Sequence, residues 1–174
     1  MAGFRPITDY RNYIQASLIG NPIIVQAVGN DNMDFLSNPD PTIDPESLSY
    51  TRIFPYRYLC DPNTEQSTIV TFGFSCEGST VLSRNKMFKY TWLWFDVYCH
   101  HSLVRTSEGC LRFDVIVAEI DEMFNNKPLP GSATKLELNS YADYPAFQGL
   151  WHGSRLSYTL TDANVSMCGN DFNG

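Results

Sequence analysis

The sequence has few charged residues, and basic ones are the scarcer kind. Only 18% of its 174 residues are Asp, Glu, Lys or Arg, against roughly 25% in an average globular protein. The 12 basic residues face 19 acidic ones, which gives a net charge of -7. A field of this sign repels phosphate, so sequence-independent binding to nucleic acid is not expected.

Long apolar runs are also missing. The longest, such as residues 23–28, which include one glutamine, and residues 92–95, are far shorter than the roughly 20 residues that span a bilayer. The start, from Met1 to Pro6, has no apolar core of a signal peptide. We therefore expect no membrane association and synthesis in a cytoplasm.

Cysteine is present without any of its usual spacing patterns. The five cysteines form no CxxC pair and no short ligand spacing; they are Cys60, Cys76, Cys99, Cys110 and Cys168. This pattern predicts neither a disulfide framework nor a zinc cage, but reduced thiols that lie mostly in the core.

Apolar and aromatic residues are plentiful, at 43% and 14% of the chain. A chain of this length has room for one compact domain with a core large enough to fold without disulfides. We predict a single domain over residues 1–164 and, from its polar, glycine-rich composition, a flexible C-terminal tail over residues 165–174.

The order of elements predicts an α+β fold in which a mostly antiparallel sheet is packed by a long helix. The predicted elements are two N-terminal helices ending at Gly20 and near Gly29, strands over residues 67–76 and 87–99, a helix from about Thr106 to Phe124, and strands near residues 135–139 and 155–161. The strand over 87–99 is apolar on both sides, which predicts a central strand covered on both faces.

The segment over residues 30–49 is an acidic, proline-rich loop with few apolar residues. It is longer than connections in compact domains usually are. We predict an extension that packs on a neighbouring subunit, because so few apolar side chains would not hold it on its own domain.

Candidate catalytic groups are sparse. Cys99, His100 and His101 adjoin one another, with His152 elsewhere, but neighbouring strand residues point in opposite directions and no nucleophile, base and orienting group come together. The helical acids Asp114, Glu119, Asp121 and Glu122 predict a solvated helix face. The turn residues Asp61, Asn63 and Glu65 lack the spacing of a calcium-binding loop. We predict a protein that is not an enzyme and has no cofactor or metal; the alternative from another class is a small cytoplasmic enzyme or metal-binding protein that uses Cys99, His100 and His101.

Large aromatic residues cluster near the C-terminus, in a segment that also contains Pro145, Gly149 and Gly153. Such rings either pack on the protein's own sheet or anchor a protein interface. We predict a subunit interface formed by Tyr141, Tyr144, Phe147 and Trp151. Trp151 is the preferred anchor, because the flanking glycines allow the backbone to turn its ring outward.

Four patches between Ser49 and Asn164 resemble small virion proteins from the neck and tail modules of tailed bacteriophages of Gram-positive hosts. They are Arg52 to Tyr56 with the strand Thr68 to Phe74, the aromatic strand ending in Val97 to His100, the run from Leu111 to Asn125, and Phe147 and Gly149 with Leu156, Tyr158 and Asp162. Related chains close on an Asp, aromatic, Asn end that here reads Asp162, Ala163, Asn164.

By its element order the chain is similar to tail terminator proteins, which form a ring between head connector and tail tube. The resemblance implies a structural virion protein in a hexameric or dodecameric ring, with head connector and tail tube proteins as neighbours. DNA would pass through the lumen without specific binding, which suits the acidic net charge. A head-closure (stopper) or tail-completion protein is the alternative within this class.

Overall fold

The computed structural model describes residues 5–58, 66–75, 88–132, 134–146 and 149–163, and the side chains of most of them. The predicted tail over 165–174, with Asp61, Asn63 and Glu65, lies outside these ranges. No helix in the described ranges is long and apolar enough to cross a membrane.

The elements confirm an α+β fold built on one five-stranded sheet. The helices are α1 (Arg5–Gly20), α2 (Pro22–Gly29) and α3 (Arg112–Phe124), and the strands are β1 (Ile53–Phe54), β2 (Thr68–Ser75), β3 (Phe88–His100), β4 (Glu137–Ala146) and β5 (Trp151–Ala163). The strand order is β1-β2-β3-β5-β4, in which β1 is parallel to β2 and the other pairs are antiparallel. The aromatic strand β3 is therefore central, as its two apolar faces predict.

The three helices cover one face of the sheet and form the main core with it. On β3 this helix-side face consists of Leu93, Phe95, Val97 and Cys99, all fully buried. The Phe95 ring packs 5.4 Å from that of Phe124 on α3 and edge-on to Tyr158 on β5. The alternating positions along each strand thus place one apolar set under the helices.

Helix α2 begins as its sequence predicts, but α3 is shorter than predicted. The Asn21 side chain accepts hydrogen bonds from the N–H groups of Ile23 and Ile24 at the α2 N-terminus. By contrast α3 starts at Arg112 rather than Thr106, because Thr106 closes a turn onto the Cys110 carbonyl and Gly109 has φ +83°. At 13 residues α3 is not the long helix expected.

The acidic loop over residues 30–49 packs on its own chain, contrary to the expectation of an extension. Phe35 and Leu48 are buried in the main core, and Gln26 holds the backbone of Asp40 through both its amide atoms. The guanidinium of Arg112, which is fully buried, stacks 4.5 Å from the Phe35 ring centre. It also donates hydrogen bonds to the carbonyls of Ala27, Asn30, Asn32 and Leu103.

These contacts show why the composition of the loop was misleading. Phe35 and Leu48, with the partly buried Ile43, are enough to anchor it, because a buried cation from α3 satisfies the carbonyl groups at the end of α2 and at the start of the loop.

Candidate functional site

The predicted aromatic loop is a hairpin of two long strands. Residues 137–146 and 151–163 pair antiparallel as β4 and β5, with Gly149 at φ +79° in the turn. Gly153 lies within β5, where a Cβ atom would collide with the carbonyl of Val97 on β3. Gly153 thus permits close approach of two strands and does not turn a ring outward.

Trp151 is buried in its own chain, which corrects its assignment as an exposed anchor. Its side chain is 0% exposed and forms a second cluster with Phe54, Ile69 and Tyr98 on the sheet face away from the helices, the outer face. The His100 ring packs edge-on against it at 5.6 Å. Within the described structure its indole N–H has no hydrogen-bond partner.

Of the other predicted interface residues, Tyr141 and Tyr144 lie on β4. The side chain of Tyr144 and the whole of Phe147 lie outside the described residues. Tyr141 is described and is 46% exposed. Its assignment to a subunit interface stays a prediction, and its surroundings define the candidate site.

A polar network fixes Tyr141 on the helix-side face of β4. The Tyr141 hydroxyl and the Ser154 hydroxyl both donate to Asp143 Oδ1, each at 2.5 Å. These hydrogen bonds, that from Ser154 first, hold the pKa of Asp143 below its usual value. Burial, and next the bond to Asp143, raise the pKa of Tyr141. The network therefore presents a neutral phenol beside an ionised carboxylate at neutral pH.

A β-bulge places a second apolar side chain on this face. Leu138 pairs with Tyr158 and Tyr141 pairs with Leu156, with the register shift lying between Leu138 and Ser140. In a regular strand, residues three apart point to opposite faces. The extra residue puts Leu138 and Tyr141 on the same face, and Leu138 is 40% exposed.

Helix α3 forms a wall beside this strand. Asp114, Ala118, Asp121 and Asn125 follow one another at helical spacing of three and four residues and share one stripe. Asn125 Oδ1 accepts a hydrogen bond from the N–H of Leu138, and Asp121 Oδ1 accepts one from the Tyr158 hydroxyl. The stripe therefore faces the β4–β5 hairpin.

The α3 stripe and the helix-side face of β4 present exposed side chains next to each other. Asp114 and Ala118 are exposed on the helix, and the charge of Asp143 helps, after burial, to raise the pKa of Asp114. We call the surface formed by Asp114, Ala118, Leu138, Tyr141 and Asp143 the edge groove. It combines two carboxylates, two partly exposed apolar side chains and the edge of a sheet.

The outer face carries an ion pair that the sequence did not reveal. Asp96 on β3 is fully buried and accepts two hydrogen bonds from the Arg155 guanidinium on β5, at 2.5 and 2.6 Å. The guanidinium groups of Arg155 and Arg57 lie 5.9 and 5.1 Å from the Trp94 ring. The lone acid within the apolar run of β3 was the available signal, because a buried charge needs a partner.

Trp94 lies across the neighbouring strand because that strand has a glycine there. Gly73 on β2 pairs with Trp94, and a Cβ atom at Gly73 would lie 2.5 Å from the indole ring. The arrangement is a packed structural cluster and contains no nucleophile.

The rings of His100 and His101 pack 4.4 Å apart, but Cys99 lies on the opposite face of β3 from His100. Cys99 faces the helices and His100 faces Trp151 on the outer face. Burial raises the pKa of the Cys99 thiol to about 11, which leaves a neutral thiol with low reactivity at neutral pH. In the described ranges, no three His, Cys, Asp or Glu side chains are grouped as metal ligands would be.

Two comparisons with known proteins bear on this chain. The family model described as YomW matches residues 21–160, which include the acidic loop, the whole of α3 and most of the sheet. A name of this type is given to gene products of a Bacillus phage, so the match points to a phage protein. No curated protein matches the chain.

Proposed function

The chain belongs to the YomW family, and on this premise we propose that it is a non-enzymatic structural protein of the phage virion. Its place would be the neck or tail, as a tail terminator-like ring subunit that joins the head connector to the tail. The observation that carries the proposal is the family match over most of the chain, which agrees with the phage resemblance of its sequence patches.

The shape of the molecule supports an assembly role. The edge groove offers exposed apolar side chains on β4, the last strand of the described sheet, and interfaces between proteins are built around such anchors. Tyr141 is held in place by Asp143 and Ser154 before any partner arrives. We expect Tyr141 to contact a neighbouring chain of the particle.

The charge of the chain supports a conduit role. Proteins bind DNA without regard to sequence when basic side chains replace the counterions around its phosphates. A ring of chains that each carry a net charge of -7 would not bind DNA in this way. DNA would pass such a ring without being held.

Native mass spectrometry over a range of concentrations tests the ring. We expect a closed species of six or twelve copies that grows at the expense of the monomer. A chain that stays monomeric at every concentration, both alone and with tail tube protein, would overturn the ring assignment.

Loss of the gene separates the terminator from its two alternatives. A subunit that ends the tail tube leaves tubes of uncontrolled length when it is missing, whereas a head-closure protein leaves heads that lose their DNA. A tail-completion protein leaves full heads and tubes of normal length that do not join. Gold labelling of a tagged copy at the head–tail junction would confirm the virion location, and unlabelled particles would contradict it.

A further inference from the structure

The two edges of the sheet differ in whether their backbone is available. At the β1 edge the Ile53 carbonyl already accepts hydrogen bonds from Gln15 Nε2 and from the N–H of Tyr50, and Ser49 forms a bridge with Ile53. At the other edge β4 has a strand neighbour, β5, on one side only within the described sheet. An unpaired edge is a template for another strand.

The protective features that β4 has lie mostly at its ends, where the bulge follows Leu138 and Pro145 precedes the last residue of the strand. Residues 137–146 contain no lysine or arginine, and the bulge lies near the start of the strand, between Leu138 and Ser140. Residues 140–144 then run in regular register up to Pro145. Five residues are enough for one added strand of ordinary length.

The charges beside the edge select the kind of strand. The edge groove carries Asp114 and Asp143, and Glu137 lies at the start of the same strand. If the β4 strands of two copies paired with each other, the acidic residues of both copies would lie close together. Neither strand has a basic residue to neutralise them, so this pairing is unfavourable. Continuous pairing from β4 of one copy to β1 of the next is blocked, because β1 is covered by its own chain.

We propose that β4 accepts an extended basic strand from a different protein, which pairs with residues 140–144 and directs lysine or arginine side chains at Asp114 and Asp143. The added strand would lie beside β4 in the sheet, and its side chains on the helix-side face would lie next to Leu138 and Tyr141 and point towards Asp114 and Ala118. Main-chain hydrogen bonds would supply affinity, and the carboxylates would supply specificity. The inference rests on the proposed function for its source of the strand, a neighbouring virion protein.

Peptide binding to the full chain tests this site. The probe is a ten-residue peptide in which Lys alternates with Thr, and the matched control peptide has Glu in place of Lys. We expect the Lys peptide to shift the backbone amide signals of residues 140–144 in NMR spectra and to bind more weakly as salt is raised. The Glu peptide is expected not to bind.

A pair of charge variants sharpens the test. Asp114→Lys should weaken binding of the Lys peptide by about tenfold or more, equivalent to about 1.4 kcal/mol. Glu46→Lys, which makes the same change in net charge at an exposed residue of the Pro45–Leu48 turn, should bind like the natural chain. Circular dichroism of both variants controls for folding, since Asp114 also lies in the first turn of α3.

Three outcomes would overturn the proposal. They are the absence of binding by the Lys peptide at millimolar concentration, equal binding to Asp114→Lys, and β4 amide signals that change with protein concentration alone, which would assign the edge to a second copy. Ring formation is measured separately. A chain that forms rings but does not bind the peptide refutes only this site. A chain that binds the peptide but does not form rings refutes only the ring.

Discussion

The two faces of strand β3 are buried to different extents and by different means. The helix-side face is wholly apolar from Leu93 to Val97 and is covered by the three helices. The outer face contains the buried Asp96, paired with Arg155, between Trp94 and Tyr98. The first face depends on packing, whereas the second depends on matching one charge to another, so the two should respond differently to substitution.

The largest effect is expected on the helix-side face, from Phe95→Ala. Phe95 is fully buried and its ring packs against those of Phe72, Phe124 and Tyr158. Removal should leave a cavity and lower the free energy of unfolding by about 4 kcal/mol, as measured by urea denaturation. A loss below about 1 kcal/mol would mean that this face is not packed as described.

The outer face should show an asymmetry between the two partners of the ion pair. Arg155→Leu leaves the fully buried Asp96 without a cation and should cost about 3 kcal/mol. Asp96→Leu should cost about 1 kcal/mol, because the Arg155 side chain is 39% exposed and its charge is already in contact with water. Equal losses for the two variants in urea denaturation would contradict the stated burial of Asp96.

A smaller effect is expected from Trp92→Ala on the same outer face. Trp92 is only half-buried. Its truncation therefore removes a smaller share of its apolar surface from the protein interior than truncation of Phe95 does. We expect a loss of about 1–2 kcal/mol. A loss as large as that of Phe95→Ala would show that the outer face is covered as fully as the helix-side face.

The smallest effect is a dependence of stability on acid pH that arises from His100. Burial, and next the charge of His101, lower the pKa of His100 below 6.5. Because the pKa of His100 is lower in the folded chain than in the unfolded chain, protonation favours the unfolded chain. The free energy of unfolding therefore falls as the pH falls below 6.5. Thermal melts between pH 7 and 5 should fall less steeply for His100→Gln, and an unchanged slope would refute the contribution.

The sequence was informative where apolar residues follow a clear period. The placement of β3 at the centre of the sheet follows from its two apolar faces, and the start of α2 follows from Asn21 and Pro22. The strands predicted near residues 135–139 and 155–161 are longer in the structure. Pro145, Gly149 and Gly153 are typical of loops, so the sequence predicted a loop between the two strands. In the structure only Gly149 has a turn conformation, whereas Gly153 allows close strand approach.

The site was harder to predict than the fold. Tyr141 was identified as an interface candidate from its type alone, but Asp114 and Ala118 gain their place beside it only through packing of α3 on the hairpin. The bulge near Leu138 has no local sequence signal, and without it Leu138 and Tyr141 would lie on opposite faces. Interactions between residues far apart in the chain carry this information, and periodicity does not report them.

The buried guanidinium of Arg112 has a consequence for the rate at which the chain can assemble. It fixes the end of α2 and the start of the acidic loop through the carbonyl groups of Ala27, Asn30 and Asn32. A segment ordered in this way pays its conformational entropy during folding, so no such cost remains when a neighbour docks on it. Contacts made through residues 30–49 would therefore form by rigid-body encounter, at rates set by diffusion and orientation rather than by a folding step.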